Sequence, residues 1–482
     1  MSFLRVLILA ALVLPALAAR AQFRVPRPPP LPDAATYSAI RDKALSSTWA
    51  YERLADLTDL IGPRISGSPQ AQAAVEQVAA VMRGEGLKVS LEPMQAPHWV
   101  RGEERAELIE YAKRPKGITQ SLKLTTLGGS VATPAQGITA EVLVVRSFAE
   151  LEARAKQAKG RIVLFDVPFD QKLADNGLAG VAYGQVVGYR VTAASAAARL
   201  GAAAVLVRSV GGADFRLAHT GVMAYEDGAA KIPAAALTAE DAMLVSRLVK
   251  RGPVTLQLVL TPQTLPDVPS FNVVGELTGS QKPNEVVLVG GHLDSWDLAT
   301  GATDDGTGVM AALGALHVFR ELKLRPKRSV RVVAFMSEEA GAIGGKAYFE
   351  AHRDQVANFR GVIETDFGAG SPVGFEAYVS PESLQKLRVL QDVLAPVGAS
   401  YFRRSERPVA ADINAWQVAG VPGFETLLDA RHYFDVHHTA ADTLDKVEPQ
   451  NLARTVAAVG VLAYFLADSA ETPAHLPALP PP

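Results

Sequence analysis

Three stretches of this chain end in side chains that can hold a metal or move a proton. The run Val286–Val289 leads through Gly290-Gly291 into His292-Leu293-Asp294, and Gly301-Ala302-Thr303-Asp304-Asp305-Gly306 follows. The run Val330–Met336 leads into Ser337-Glu338-Glu339, and Gly361–Ile363 leads into Glu364-Thr365-Asp366. Neutral imidazole and carboxylate are the donors that suit zinc where no thiolate is offered, and the chain has no cysteine. Two metals a few ångströms apart need a carboxylate between them, and Asp304 is placed to be that bridge. Glu338 and Glu339 are neighbours, so in extended chain they point apart; one can bind metal while the other handles protons. Asp294 lies two residues past His292, on the same side of an extended strand, where it can fix the imidazole by a hydrogen bond.

Each fragment alone has a plain explanation. A His-x-Asp at a strand end is often solvated, an acidic pair often caps a loop, and Asp304-Asp305 before a helix suits an N-cap, a role that would account for Asp305 by itself. Their common position changes this. The three runs are short and β-branched, as buried parallel strands are, and helical patterns at Gly308–Leu322, Ser383–Leu394 and Leu452–Leu466 intervene or close the array. All the donors therefore fall at the carboxyl edge of one α/β sheet, where such sheets bind ligands.

Taken together, His292-x-Asp294, Gly301 to Asp305, Ser337-Glu338-Glu339, Asp366 and His438-Thr439-x-x-Asp442-Thr443 resemble the M28 metallopeptidases. The resemblance runs from about Tyr37 to Ala467. It implies an α/β fold with a mixed, mostly parallel sheet flanked by helices, a zinc exopeptidase core interrupted by an inserted β-rich protease-associated module. It also implies two zinc ions per chain: His292 and Asp366 on one, Glu339 and His438 on the other, and Asp304 between them. Glu338 matches the general base and Asp294 the carboxylate behind His292. A cis peptide is implied after the bridging aspartate, at Asp304–Asp305. Spacing alone does not separate His437 from His438; the His-Thr pairing of the family favours His438.

The rest of the chain frames this. With 482 residues it is too long for one ordinary core. Residues 37–87 read as helices. Residues 125–265 carry short strands at Val142–Val145, Arg161–Phe165 and Ala203–Val207, an alanine-rich helix at Ala193–Leu200, and no histidine–carboxylate pairing. The expected order is a signal peptide over 1–21, a proline-rich leader over 22–36, a catalytic unit over 37–124 and 266–470, the inserted module over 125–265, and a loose proline-rich tail over 471–482. Arg5 and the apolar run Val6–Leu14 form the signal, too short to span a bilayer. Cleavage before Ala19 or Gln22 would give a secreted or periplasmic protein with no membrane contact.

Basic and acidic residues nearly cancel, at 48 and 50, which leaves no electrostatic footprint for nucleic acid. Gly344-Gly345-Lys346 lacks the flanking residues of a phosphate loop, and neither His-Glu-x-x-His nor Gly-x-Ser-x-Gly occurs. The expected activity is hydrolysis of dipeptides or short peptides by activated water with a glutamate base. Two rival readings use the same scaffold: a non-catalytic receptor, and a single-zinc aminoacyl cyclase. The resemblance also favours a homodimer, while the choice between amino- and carboxyl-terminal trimming stays open.

Overall fold

The computed structural model describes residues 31–212 and 215–480; the expected signal and most of the expected leader lie outside the described residues. The fold is α/β, with two mixed eight-stranded sheets. In the first sheet the order is Lys88–Val100, Gln263–Leu277, Arg328–Phe335, Lys282–His292, Phe359–Glu364, Gly423–Leu428, Pro372–Tyr378 and Tyr401–Arg404. Lys282–His292 runs parallel to both of its neighbours, and Phe359–Glu364 runs parallel to Gly423–Leu428. The three β-branched runs read from the sequence are thus adjacent parallel strands. Their burial is almost continuous because helices cover both faces.

Helix Thr307–Glu321 packs with helix Pro449–Asp468 across this sheet, and most residues of both are buried. The second is apolar and long enough to cross a membrane, but 83% of its most apolar window is buried inside the protein, as in a core helix. Helix Ala34–Leu45 packs on it through Tyr37, whose ring meets Tyr464 edge-on at 5.4 Å. This helix starts inside the stretch expected to be extended leader, because Tyr37, Ile40 and Ala44 find core to bury against. The helix expected over Ser383–Leu394 is broken into α-turns and 3₁₀ turns between Pro381 and Val397. The described part of the tail has no regular structure but is not loose. Leu476 N–H donates to Gly420 O and Leu479 N–H to Val418 O, each at 2.8 Å.

The second sheet takes all its strands from residues 104–260, in the order Gln120–Leu122, Glu104–Glu110, Thr255–Leu260, Ile138–Val145, Ile162–Phe165, Ala204–Arg208, Ala234–Leu237 and Leu124–Thr126. It has its own core, centred on Leu164, Leu206 and Leu256 on one face and Val163, Val205 and Ala197 on the other. The alanine-rich segment is the end of a longer helix, Ala179–Arg199, whose other end reaches the first sheet's edge.

Candidate metal centre

The strand Lys282–His292 delivers His292 to the sheet's carboxyl edge fully buried. Its Nδ1 lies 3.0 Å from the main-chain oxygen of Asp294, so the ring donates there and turns Nε2 inward. The Asp294 carboxylate is 3.8 Å from the same nitrogen and is engaged elsewhere. It accepts the backbone N–H of Glu338 at 3.0 Å and of Glu339 at 3.3 Å. Asp294 therefore orients His292 with its carbonyl and pins the Glu338-Glu339 turn with its side chain.

Asp304 faces two ways. Its Oδ1 is 3.1 Å from His292 Nε2, and its Oδ2 is 3.1 Å from His438 Nε2 and 3.5 Å from His437 Nε2. Asp366 Oδ1 completes the first group, 3.6 Å from His292 Nε2, and Glu339 Oε2 lies 3.0 Å from His438 Nε2. Two sets of donors converge closely enough to hold an ion each: His292, Asp304 and Asp366, and Asp304, His437 and His438. Asp304 Oδ2, although 3.1 Å from His438 Nε2, and Glu339 Oε1 are buried without an aligned hydrogen bond. Buried carboxylate oxygens left unpaired are costly, and cations at these two points would satisfy them. Two such sets sharing one carboxylate are the donor set of a di-zinc centre.

His437 and His438 stack at 3.6 Å, but their outer nitrogens differ. His438 Nδ1 faces Thr220 O at 3.3 Å, which leaves Nε2 free to ligate, whereas His437 Nδ1 is buried and unpartnered. His438 also holds a left-handed backbone, φ 58, a cost of about 1–3 kcal/mol for a residue with a side chain. Glu338 and Glu339 both line a cleft of about 310 Å³ beside the centre and belong to neither donor set, but Glu339 alone of the two lies against a histidine.

The surrounding charges are dense. Burial pushes the Glu338 carboxyl well above the usual carboxylate range; His292 opposes this, and Asp366 and Glu339 reinforce it. Burial alone would lower the histidines. Asp366 and Asp304 outweigh it at His292, and Glu339 and Asp304 at His438, so both imidazoles stand well above their ordinary value. A site with this many carboxylates carries a field that favours cations.

Several supports were not legible as such. Asp442, noted only as part of the His438 motif, accepts the backbone N–H of Thr303 at 2.7 Å and of Asp304 at 3.1 Å, and so fixes the bridging residue. Its carboxyl is pushed up to about 7 by burial and by the charge of Asp304. Arg64, fully buried, ties together the loop after His292 by donating to Leu293 O at 2.8 Å and Gly301 O at 3.0 Å. Trp296 Nε1 donates to Glu339 Oε2 at 2.5 Å. Asp305 is a structural cap: it accepts His292 N–H and Gly308 N–H, each at 3.0 Å. Gly308 has no room for a side chain, since a Cβ there would come 1.9 Å from Thr365 O. The Asp304–Asp305 peptide bond is cis.

Comparison with known proteins fits this geometry. The model of peptidase family M28 matches residues 272–463. Carboxypeptidase Q of Homo sapiens is 40% identical over 424 residues, covering 88% of this chain and 86% of that protein. Carboxypeptidase Q of Xenopus laevis is 40% identical over 436 residues, covering 90% and 88%. A solved peptidase M28 precursor from Shewanella amazonensis SB2B superposes with a TM-score of 0.86 at 35% identity, covering 93% of this chain and 99% of that one. The chain is thus a metallopeptidase and belongs to peptidase family M28.

Proposed function

We propose that this chain is an exported di-zinc exopeptidase that hydrolyses dipeptides or short peptides with a free terminus. His292 and Asp366 would hold one zinc, Glu339 and His438 the other, and Asp304 both. The observation that carries this reading is the split of Asp304, with one oxygen on each histidine, at the edge of a cleft that Glu338 also lines. When bound, zinc at these residues would lower the pKa of the attacking water towards neutrality and polarise the scissile carbonyl. Glu338 takes a proton from the attacking water as its oxygen joins the carbonyl carbon. It returns that proton to the leaving nitrogen as the C–N bond breaks, giving one carboxylic acid and one amine. Burial raises the Glu338 carboxyl, which favours its holding the proton once taken. Asp294 keeps this base aimed through its hold on the two backbone amides.

The second sheet is read as an inserted protease-associated-like module that walls the cleft, with the catalytic unit on either side of it in sequence. Its strands start at Glu104, ahead of the 125–265 expected for the insert. Export, and a homodimer, rest on the apolar N-terminal stretch and on family resemblance. The test is incubation of zinc-loaded protein with dipeptides, pentapeptides and a long denatured protein, read by mass spectrometry. Free amino acids from the short peptides, abolished by a chelator and restored by zinc, are expected. Internal cuts in the long chain would contradict the exopeptidase reading.

A further inference from the structure

The outer strands of the first sheet set four charged residues in one row. Glu364, Glu425, Glu376 and Arg403 stand in register on four adjacent strands: Glu364 opposite Glu425, Glu425 opposite Glu376, and Glu376 opposite Arg403. Paired positions on neighbouring strands put their side chains on the same face, and like charges set directly opposite repel. Two of the three carboxylates are provided for. Glu364 accepts the backbone N–H of Ile413 at 3.1 Å and of Asp412 at 3.4 Å, and Glu376 pairs with Arg403 at 2.5 Å. Glu425, between them, forms no side-chain hydrogen bond or ion pair among the described residues. Burial, and the charges of Glu364, Asp366 and Glu376, push its carboxyl well above the usual range, and Arg403 offsets only part of this. An uncompensated carboxylate in such a row is a cost that a cation would remove.

Glu425 also stands at a junction. It and Phe367 line both the cleft beside the metal centre and a second cavity of about 270 Å³, so the two spaces meet there. One wall of this annex is apolar. Leu178 and Val181, 43% and 53% exposed, line it from the start of helix Ala179–Arg199. The guanidinium in its lining, Arg403, is the one already held by Glu376. Exposed apolar side chains beside a lone carboxylate suit a ligand with a long apolar stem and a cationic head. The annex opens to the side of the Asp366 donor group. Strand Phe359–Glu364 delivers Asp366 two residues beyond its end, and Glu425 is one strand over from Glu364, about 4.8 Å across the ladder. A lysine or arginine stem covers such a step, and a short side chain does not.

We infer that this annex is a specificity pocket that takes a lysine or arginine side chain flanking the scissile bond, its stem along Leu178 and Val181 and its cation on Glu425. The substrate's cation then does for Glu425 what Arg403 does for Glu376. This assigns a substrate class to the cleft, short peptides with a basic residue next to the bond that is cut, and it rests on the hydrolytic reading above.

The test compares zinc-loaded wild type on dipeptides that carry lysine, norleucine or glutamate at the first position and, in a second series, at the second position, the other residue being alanine. Norleucine keeps the four-carbon stem and lacks the ammonium. Hydrogen bonds to charged groups correspond to about 10–100-fold in selectivity. At one of the two positions lysine is expected to exceed norleucine by that factor in kcat/KM, with glutamate below both. Glu425→Gln should bring the lysine-to-norleucine ratio close to one with two zincs per chain, and Glu425→Asp should recover part of the preference. Calorimetry with non-hydrolysable phosphinic analogues of the lysine and norleucine dipeptides should show the same difference in affinity for the wild type and its loss in Glu425→Gln. Equal cleavage of lysine and norleucine dipeptides by the wild type at both positions overturns the assignment, a comparison that needs no variant to fold. A preference for glutamate overturns it too, since the annex would then receive an anion at the helix start. So does a lysine preference that survives in Glu425→Gln. If the wild type cleaves none of these dipeptides with zinc bound, the hydrolytic reading itself has failed, and this one with it.

Discussion

Both sheets contain a run of parallel strands that ends in polar side chains, yet the two edges treat those groups in opposite ways. In the second sheet, Asp166 follows the strand Ile162–Phe165, and its oxygens are taken up by Arg208 at 3.2 Å and Ser246 Oγ at 2.6 Å. In the first, the carboxylates after the strand ends meet imidazoles and one another, and Asp304 Oδ2 and Glu339 Oε1 are left without an aligned hydrogen bond. Topology alone therefore does not make a site. A strand-end edge becomes one where buried donors keep lone pairs that the protein does not satisfy. The second unit reaches this cleft from elsewhere, through the helix that carries Tyr183 and Arg190 into its wall.

The contrast breaks most severely at Asp304. Asp304→Asn should drop zinc from two per chain towards none and reduce hydrolysis to background, because both ions share that carboxylate; metal analysis beside a dipeptide assay checks it. Retention of two zincs would mean the groups do not share a bridge. Asp442→Asn comes next, since Asp442 only orients the bridge. Its loss should weaken zinc affinity about 10–100-fold, read by chelator competition. At the cleft wall, Val222→Ala should raise KM by a few-fold, at most about tenfold, with kcat and zinc content unchanged. Asp166→Asn in the second sheet should leave zinc and turnover alone while lowering stability, since breaking a buried pair costs about 3–5 kcal/mol; thermal unfolding of the zinc-loaded protein measures it. A fall in kcat from Asp166→Asn would show that the two units are coupled more tightly than the contrast allows.

How far the sequence could be read follows from the range of each interaction. The parallel strands were legible because burial on both faces leaves a local β-branched signature, as at Val286–Val289 and Val330–Phe335. The positions that gather at the metal centre were legible because each sits at the end of such a strand or in a short spaced motif. Arg64 was not, since its partner at Leu293 lies 229 residues away, and a lone arginine carries no pattern. The role of Asp294 was only half legible. Spacing put it beside His292, but nothing local tells that its carbonyl meets the imidazole while its carboxylate serves the Glu338-Glu339 backbone. The break in the expected helix over Ser383–Leu394 and the docking of the tail on Gly420 also depend on packing that the apolar pattern does not reveal.

Two adjacent glutamates stand at the first sheet's edge, both lining the cleft and only Glu339 against His438, and the proposed function divides their labour. It is tested most directly by measuring zinc per chain and kcat together for Glu338→Gln and Glu339→Gln. Glu338→Gln keeps the shape and removes the base, so two zincs should remain while kcat falls by about 10²–10⁴-fold and KM changes little. Glu339→Gln should instead lose one zinc. If Glu338→Gln strips a zinc and Glu339→Gln keeps both, the roles are reversed; if neither variant slows hydrolysis, this edge is not where the chemistry happens.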